Sequence, residues 1–360
     1  VNSMKFFVFI LLWCLCGMTL QAQFVYYPAS DFPLLGKISE KTETRYERLP
    51  ALLNGNTRPP VWELGKNTAG LAIRFVSDSK AIAVRWTLRA QVTMSHMALT
   101  GIQGLDLYTL EGKKWRFVNV ARPEGKENTA VIISNMEPVE REYMLYLPLY
   151  DGVVSLEIGV DSTASIGQPK VDLPVRDKPV VCYGTSILQG GCASRPGMAH
   201  TNILSRRLNR EFVNLGFSGN GQLDYEIAGI MTNRDAALYI LDFVPNASVQ
   251  QIEEKAERFF RIIRDKAPDV PVIFVEDPPF THSKYDRVMQ QEIERKNKAL
   301  HIVFDRLKKA GEKSIWLLPS EKIIGDDAEA TVDGIHFTDL GFMRYAEYLY
   351  PVIKKRMKKE

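Results

Sequence analysis

The sequence predicts an α/β protein in two parts: an antiparallel, jelly-roll-like β-sandwich, then a three-layer α/β/α domain on a five-stranded parallel sheet. Three observations predict it. The chain has 360 residues, more than one hydrophobic core usually organises, so two domains of roughly 150 residues each are expected. From about Gly70 to Asp161, short apolar–polar alternations at period two are separated by polar or Gly-containing turns. From Pro179 onward, continuous apolar runs alternate with helical patterns, the texture of parallel strands covered on both faces.

The N-terminus reads as a secretory leader over residues 1–22. Met4-Lys5 is followed by an apolar run from Phe6 to Leu20, then Gln21-Ala22-Gln23. A charged start, about 15 apolar residues and a small residue at the exit suit cleavage better than a spanning helix, which needs about 20. The mature chain is then expected to begin near Gln23 and to act in the periplasm or outside the cell, with no stable membrane insertion. Cys14 and Cys16 fall inside the leader, leaving Cys182 and Cys192. Export permits a bridge between them. Cys182 reads as a buried strand residue, however, and a free thiol is the expected state.

The sandwich is expected over residues 23–165. Ala69 to Val76 and Ala81 to Arg89 alternate around the turn Ser77-Asp78-Ser79. Gly104 to Tyr108, Trp115 to Val118, Tyr143 to Leu147 and Val153 to Val160 continue the pattern. Trp86, Tyr108 and Trp115 are large aromatics on these strands; sugar stacking is one use for them, but burial in the sandwich core is the usual one. Ser162 to Lys178 is polar with Gly and Pro, and a linker is placed at 166–178. The second domain, 179–360, has strands at Val180-Val181-Cys182-Tyr183, Phe212 to Gly216, Ala236 to Phe243, Val270 to Val275 and Ser314 to Leu318. Helical patterns follow each of them: Ala199 to Arg210, Asp224 to Met231, Val249 to Lys266, Arg287 to Ala310 and Leu340 to Lys358.

In such sheets ligands bind beyond the carboxyl ends of the strands. Four strand-end loops carry reactive residue types. Ser186 lies in Tyr183-Gly184-Thr185-Ser186-Ile187, where a turn from strand to helix exposes a hydroxyl. Gly219 lies in a Gly-rich loop and offers an unobstructed N–H. Asn246, in Phe243-Val244-Pro245-Asn246, offers a carboxamide donor. Asp333-Gly334-Ile335-His336 supplies a base and a carboxylate to orient it. Each has an ordinary reading alone: a helix N-cap, a flexible turn, a turn Asn, a surface His beside an Asp. Their order on successive loops of one predicted sheet argues for catalysis.

These four blocks resemble the SGNH (GDSL-type) hydrolases, over about half the chain from Pro179 to the end. The resemblance implies an esterase with Ser186 as nucleophile, His336 as base and Asp333 orienting it. It also implies an oxyanion hole from the N–H groups of Ser186 and Gly219 and the side chain of Asn246. The family's Gly-Asp-Ser-Leu opening reads here Gly184-Thr185-Ser186-Ile187, and its Gly-x-Asn-Asp block reads Val244-Pro245-Asn246-Ala247. Gly104-Leu105-Asp106-Leu107-Tyr108 is similar to the Gly-x-Asp-Leu-Tyr element of a β-domain found ahead of some bacterial SGNH hydrolases.

Composition narrows the substrate. Lys+Arg at 46 against Asp+Glu at 43 leaves +3, too little for a nucleic-acid footprint. The five histidines show no His-x-His or His-Glu-x-x-His spacing, so no cofactor and no metal are expected. No long apolar lid of lipase type is evident. An acylated small molecule or glycan is the expected substrate, with O-acetyl groups on carbohydrate preferred. The alternatives are a non-catalytic glycan-binding protein on a hydrolase scaffold, or a thioesterase or lysophospholipase. Two further candidates flank the site. Arg195, in the loop Gly190 to Gly197, suits either an anionic ligand or a structural ion pair, and Glu276-Asp277 either borders a pocket or caps its strand.

Overall fold

The computed structural model describes residues 23–357. The expected leader, with Cys14 and Cys16, lies outside the described residues. The N-terminal half contains β1 (Phe24–Pro28), β2 (Leu34–Leu35), β3 (Ala72–Ser77), β4 (Ile82–Leu88) and β5 (Leu105–Glu111). It continues with β6 (Lys114–Ala121), β7 (Glu127–Ile133), β8 (Arg141–Tyr146), β9 (Val153–Asp161) and β10 (Ile166–Gly167). Two antiparallel sheets result, in the orders β1-β9-β4-β7 and β10-β3-β8-β5-β6, with β2 beside β3. Period-two alternation turns one face of each inward. Ile82, Val84 and Trp86 of β4 share a core with Ile73 and Phe75 of β3 and Leu105 and Leu107 of β5. Trp86 is buried in that core, whereas Tyr108 and Trp115 are buried in a separate cluster with Leu35, Ala72, Met144 and Tyr146, on the other face of their sheet from Leu105 and Leu107.

Four strands escape the sequence pattern: β1, β2, β7 and β10. In β7 the opening Glu127-Asn128-Thr129 is polar. Asn128 turns its carboxamide oxygen back to accept from the N–H of Glu124 and Gly125, at 2.7 and 3.0 Å. The expected linker at 166–178 is built into sheets at both ends. β10 pairs with β3, and the first strand of the second half starts at Val175 rather than near Pro179.

That half holds β11 (Val175–Gly184), β12 (Arg210–Gly216), β13 (Leu238–Asp242), β14 (Val272–Val275) and β15 (Ile315–Leu318). They form one parallel sheet in the order β12-β11-β13-β14-β15. Alternate residues of β11 enter opposite cores. Val181 and Tyr183 pack with Phe259 and Leu300, from helices Val249–Lys266 and Arg287–Lys309. Val180 and Cys182 pack with Ile203 and Phe342, from helices His200–Leu208 and Asp339–Arg356. Burial on both faces is why these strands read as unbroken apolar runs. Local signals start the long helices: Ser248 and Gln251 form a reciprocal capping box, and the Asp286 carboxylate accepts from the N–H of Val288 and Met289.

One feature crosses the two halves. Ile38, Leu49, Leu53, Val61 and Trp62 precede most of the sandwich in sequence, yet they join the core of the parallel sheet. The strand order places β12 and β13 on opposite sides of β11, so chain direction switches at its carboxyl end and opens a crevice there. No helix among the described residues is long and apolar enough to cross a membrane.

Candidate active site

Ser186 stands at that switch point. A Cβ on Gly184 would lie 2.4 Å from the Asp242 carbonyl oxygen, so only glycine lets β11 end this close to β13. Thr185 then takes an extended backbone and accepts from the Ile187 N–H at 3.3 Å, starting the helix Ser186–Gln189. The Ser186 carbonyl is held by the N–H of Gly191 at 2.8 Å and the hydroxyl of Tyr150 at 3.1 Å. Its Oγ lies 3.0 Å from His336 Nε2, a residue 150 positions away.

The loop before the last helix presents His336. Asp333 Oδ1 accepts from the N–H of Ile335 and His336, at 3.0 and 2.7 Å, and Oδ2 lies 2.8 Å from His336 Nδ1. A carboxylate only accepts, so this contact puts the proton on Nδ1 and leaves the Nε2 lone pair toward Ser186. Burial works to raise the Asp333 pKa. The hydrogen bonds from the His336 ring and from the two N–H groups outweigh it and hold the carboxyl down at about 2.

Gly219 has a left-handed backbone, φ +67°, and open space where a side chain would project. Asn246 Oδ1 accepts from the Gly221 N–H at 3.2 Å, which ties the loop after β13 to the loop after β12 and leaves Nδ2 as the donor. Gly221 is so close to the Gly184 carbonyl that a Cβ would approach it to 2.7 Å. The structure thus gathers Ser186, His336 and Asp333 into one hydrogen-bonded line, with the Gly219 and Asn246 loops beside Gly184. Cys182 and Cys192 are both free thiols.

The N-terminal half supplies supports that the sequence does not advertise. Buried Arg48 donates through Nη1 to the carbonyls of Asn214 and Gly216, at 3.0 and 2.8 Å, fixing the end of β12. Arg58 grips Asp224 with two bonds of 2.6 and 2.8 Å and also bonds the carbonyl of Asn220 at 3.0 Å. Arg195 is a structural ion pair: its Nη1 donates to Asp106 Oδ2 at 2.7 Å, and the Gly197 N–H donates to the same oxygen at 2.9 Å. The Gly-x-Asp-Leu-Tyr element therefore grips the loop that follows the Ser186 helix. His96 places its ring 5.6 Å, centre to centre, from that of His336. Nothing in local pattern distinguishes these arginines or His96, because their partners are far away in sequence.

Glu276-Asp277 closes its strand as a buried acidic pair. Glu276 accepts from the N–H and hydroxyl of Ser320, at 3.0 and 3.2 Å. Burial pushes Asp277 up to about 7, opposed by Lys296 and reinforced by the charges of Asp242 and Glu292. Asp242 is likewise raised by burial, to about 6, against a hydrogen bond from Tyr345. Unfolded aspartates titrate near 3.9. The stability linked to these two is therefore fully present below about pH 4 and lost as pH rises through 6 to 7. Melting temperature should fall between pH 5 and pH 8, and Asp277→Asn should flatten that fall. An equal decline in the variant would refute the assignment.

Comparison with known proteins agrees with this architecture. Residues 177–354 match the GDSL-like lipase/acylhydrolase family, and residues 23–166 match the N-terminal domain of SGNH-hydrolase-type esterases. A GDSL-like lipase structure from Bacteroides ovatus is 36% identical, covering 94% of this chain and 99% of its own, with a TM-score of 0.90. The salicylyl-acyltransferase SsfX3 of a tetracycline biosynthetic pathway shares the fold at 16% identity, 90% and 95% coverage and a TM-score of 0.72. An acetyl xylan esterase from Butyrivibrio proteoclasticus does so at 11% identity, 92% and 99% coverage and a TM-score of 0.57. No curated protein matches the chain. With over a third of its residues shared across nearly the whole length of the Bacteroides structure, the chain belongs to the GDSL-like lipase/acylhydrolase family of carboxylic ester hydrolases.

Proposed function

We propose that this protein is an exported serine esterase that removes acyl groups, specifically O-acetyl groups, from carbohydrate. The observation that carries the reading is the unbroken line Asp333–His336–Ser186 at the switch point of the sheet. Ser186 Oγ attacks the ester carbonyl while His336 Nε2 takes its proton, and Asp333 stabilises the imidazolium that forms. Ser186 opens its helix, where N–H groups have no intrahelical acceptor. That N–H, the N–H of Gly219 and Asn246 Nδ2 receive the developing oxyanion. His336 returns the proton to the leaving alcohol, and water then releases the acid from the acyl-enzyme. The carbohydrate assignment is supported by the fold shared with an acetyl xylan esterase and by the apolar-lid-free sequence around Ser186.

A panel of acetylated sugars and p-nitrophenyl esters of rising chain length, run on the purified protein, tests both halves. Acetyl release blocked by a serine-directed organophosphate is the expected result. Much faster cleavage of long-chain esters would remove the carbohydrate assignment. Asn246→Ala should lower kcat about 10²–10³-fold with KM little changed, since an oxyanion donor acts mainly in the transition state. An unaltered kcat would take Asn246 out of the oxyanion hole.

A further inference from the structure

His96, Cys192 and His336 come from three separate segments, and their ligand atoms all lie within 4.8 Å of one another. A tetrahedral zinc ion holds its ligands about 3.5 Å apart, so small side-chain adjustments close the set. His96 is exposed, on the loop before the short helix Leu99–Ile102, with its ring centre 5.6 Å from that of His336. Cys192 is buried, with its backbone held in the left-handed region at φ +75°. A non-glycine residue persists there only where its surroundings fix it.

We propose that these three side chains form an inhibitory binding site for a borderline-soft divalent cation of the zinc class. The donor set, one thiol and two imidazoles, is chemically suited to such an ion. The arrangement that makes His336 a good base also makes it a good ligand. Asp333 holds Nδ1, as the carboxylate does in carboxylate–histidine–zinc sites, and leaves Nε2 to donate its lone pair. Coordination forms a metal–sulfur bond as the Cys192 proton leaves to solvent, and metal–nitrogen bonds to His96 and to His336 Nε2. The last of these displaces the hydrogen bond from Ser186 Oγ. Loss of activity on binding rests on the esterase mechanism above, whereas binding itself does not.

Cobalt(II) serves as the spectroscopic probe on chelator-stripped protein, and zinc chloride as the inhibitor of p-nitrophenyl acetate turnover. The expected result is one equivalent of cobalt giving a near-ultraviolet thiolate charge-transfer band, and zinc lowering the rate at least tenfold, reversed by chelator. Cys192→Ser should abolish the band. His96→Ala, at an exposed position that does not threaten folding, should raise the zinc concentration for half-inhibition at least tenfold. Ser186→Ala should keep the cobalt band. An absent band in the parent protein, or one zinc midpoint shared by the parent, His96→Ala and Cys192→Ser, would overturn the site. A fully active Ser186→Ala would instead overturn the esterase mechanism, with the cobalt titration still deciding the site.

Discussion

Ser186→Ala is expected to lower kcat for p-nitrophenyl acetate by on the order of 10⁴–10⁶ while the protein stays folded. In the proposed mechanism the hydroxyl is the only group in the Asp333–His336–Ser186 line that forms a bond to the acyl carbon. Removing it cannot be offset by the remaining two. His336→Ala should cost nearly as much, and the double variant little more than either, because residues acting as one unit are not additive. Circular dichroism of the variants separates lost chemistry from lost structure. Turnover within tenfold of the parent would remove Ser186 from the mechanism. The acid side of the pH–rate profile should show a single ionisation, since Asp333, held down at about 2, stays charged throughout.

Arg195→Ala is expected to destabilise the protein by about 3–5 kcal/mol, read from the denaturant midpoint. Asp106 is fully buried, and Oδ1 of its carboxylate already has no partner. The Arg195 guanidinium meets the other oxygen and also stacks 3.7 Å from the centre of the Phe117 ring. Deleting it leaves a buried carboxyl with the Gly197 N–H and the more distant charge of Arg206 for compensation. A change below about 1 kcal/mol would mean that the pair behaves like one at the surface. Activity should fall as well, because the Asp106 contact anchors the stretch that begins at Gly190, directly after the Ser186 helix.

The parts of this molecule that were legible in its sequence are those set by local periodicity. β4, β9 and the strands of the parallel sheet announce themselves by alternation or by continuous apolar runs. The helix Val249–Lys266 carries its capping box in four consecutive letters of sequence and a residue stripe after it. Ser186, Gly219, Asn246 and Asp333–His336 could be singled out because each follows a strand. What could not be read was any residue whose role depends on a distant partner. Arg48 and Arg58 look like solvent-facing arginines of a coil until β12 and its loop are placed beside them. His96 has no neighbour in sequence that hints at His336. β7 begins with polar residues because its third dimension, the turn at Glu124-Gly125, consumes the Asn128 side chain.

The packing of Ile38 to Trp62 into the second half's core also governs how the chain must reach its native state. Arg48 and the carbonyls it binds are 166 and 168 residues apart. During vectorial synthesis this apolar segment emerges early, while its seat, beside β12, is made long afterwards. Contacts of such high order are slow to form and leave oily surface waiting in the meantime. Cutting the gene at the junction would therefore not yield an autonomous hydrolase, since the excised half would lack a layer of its own interior.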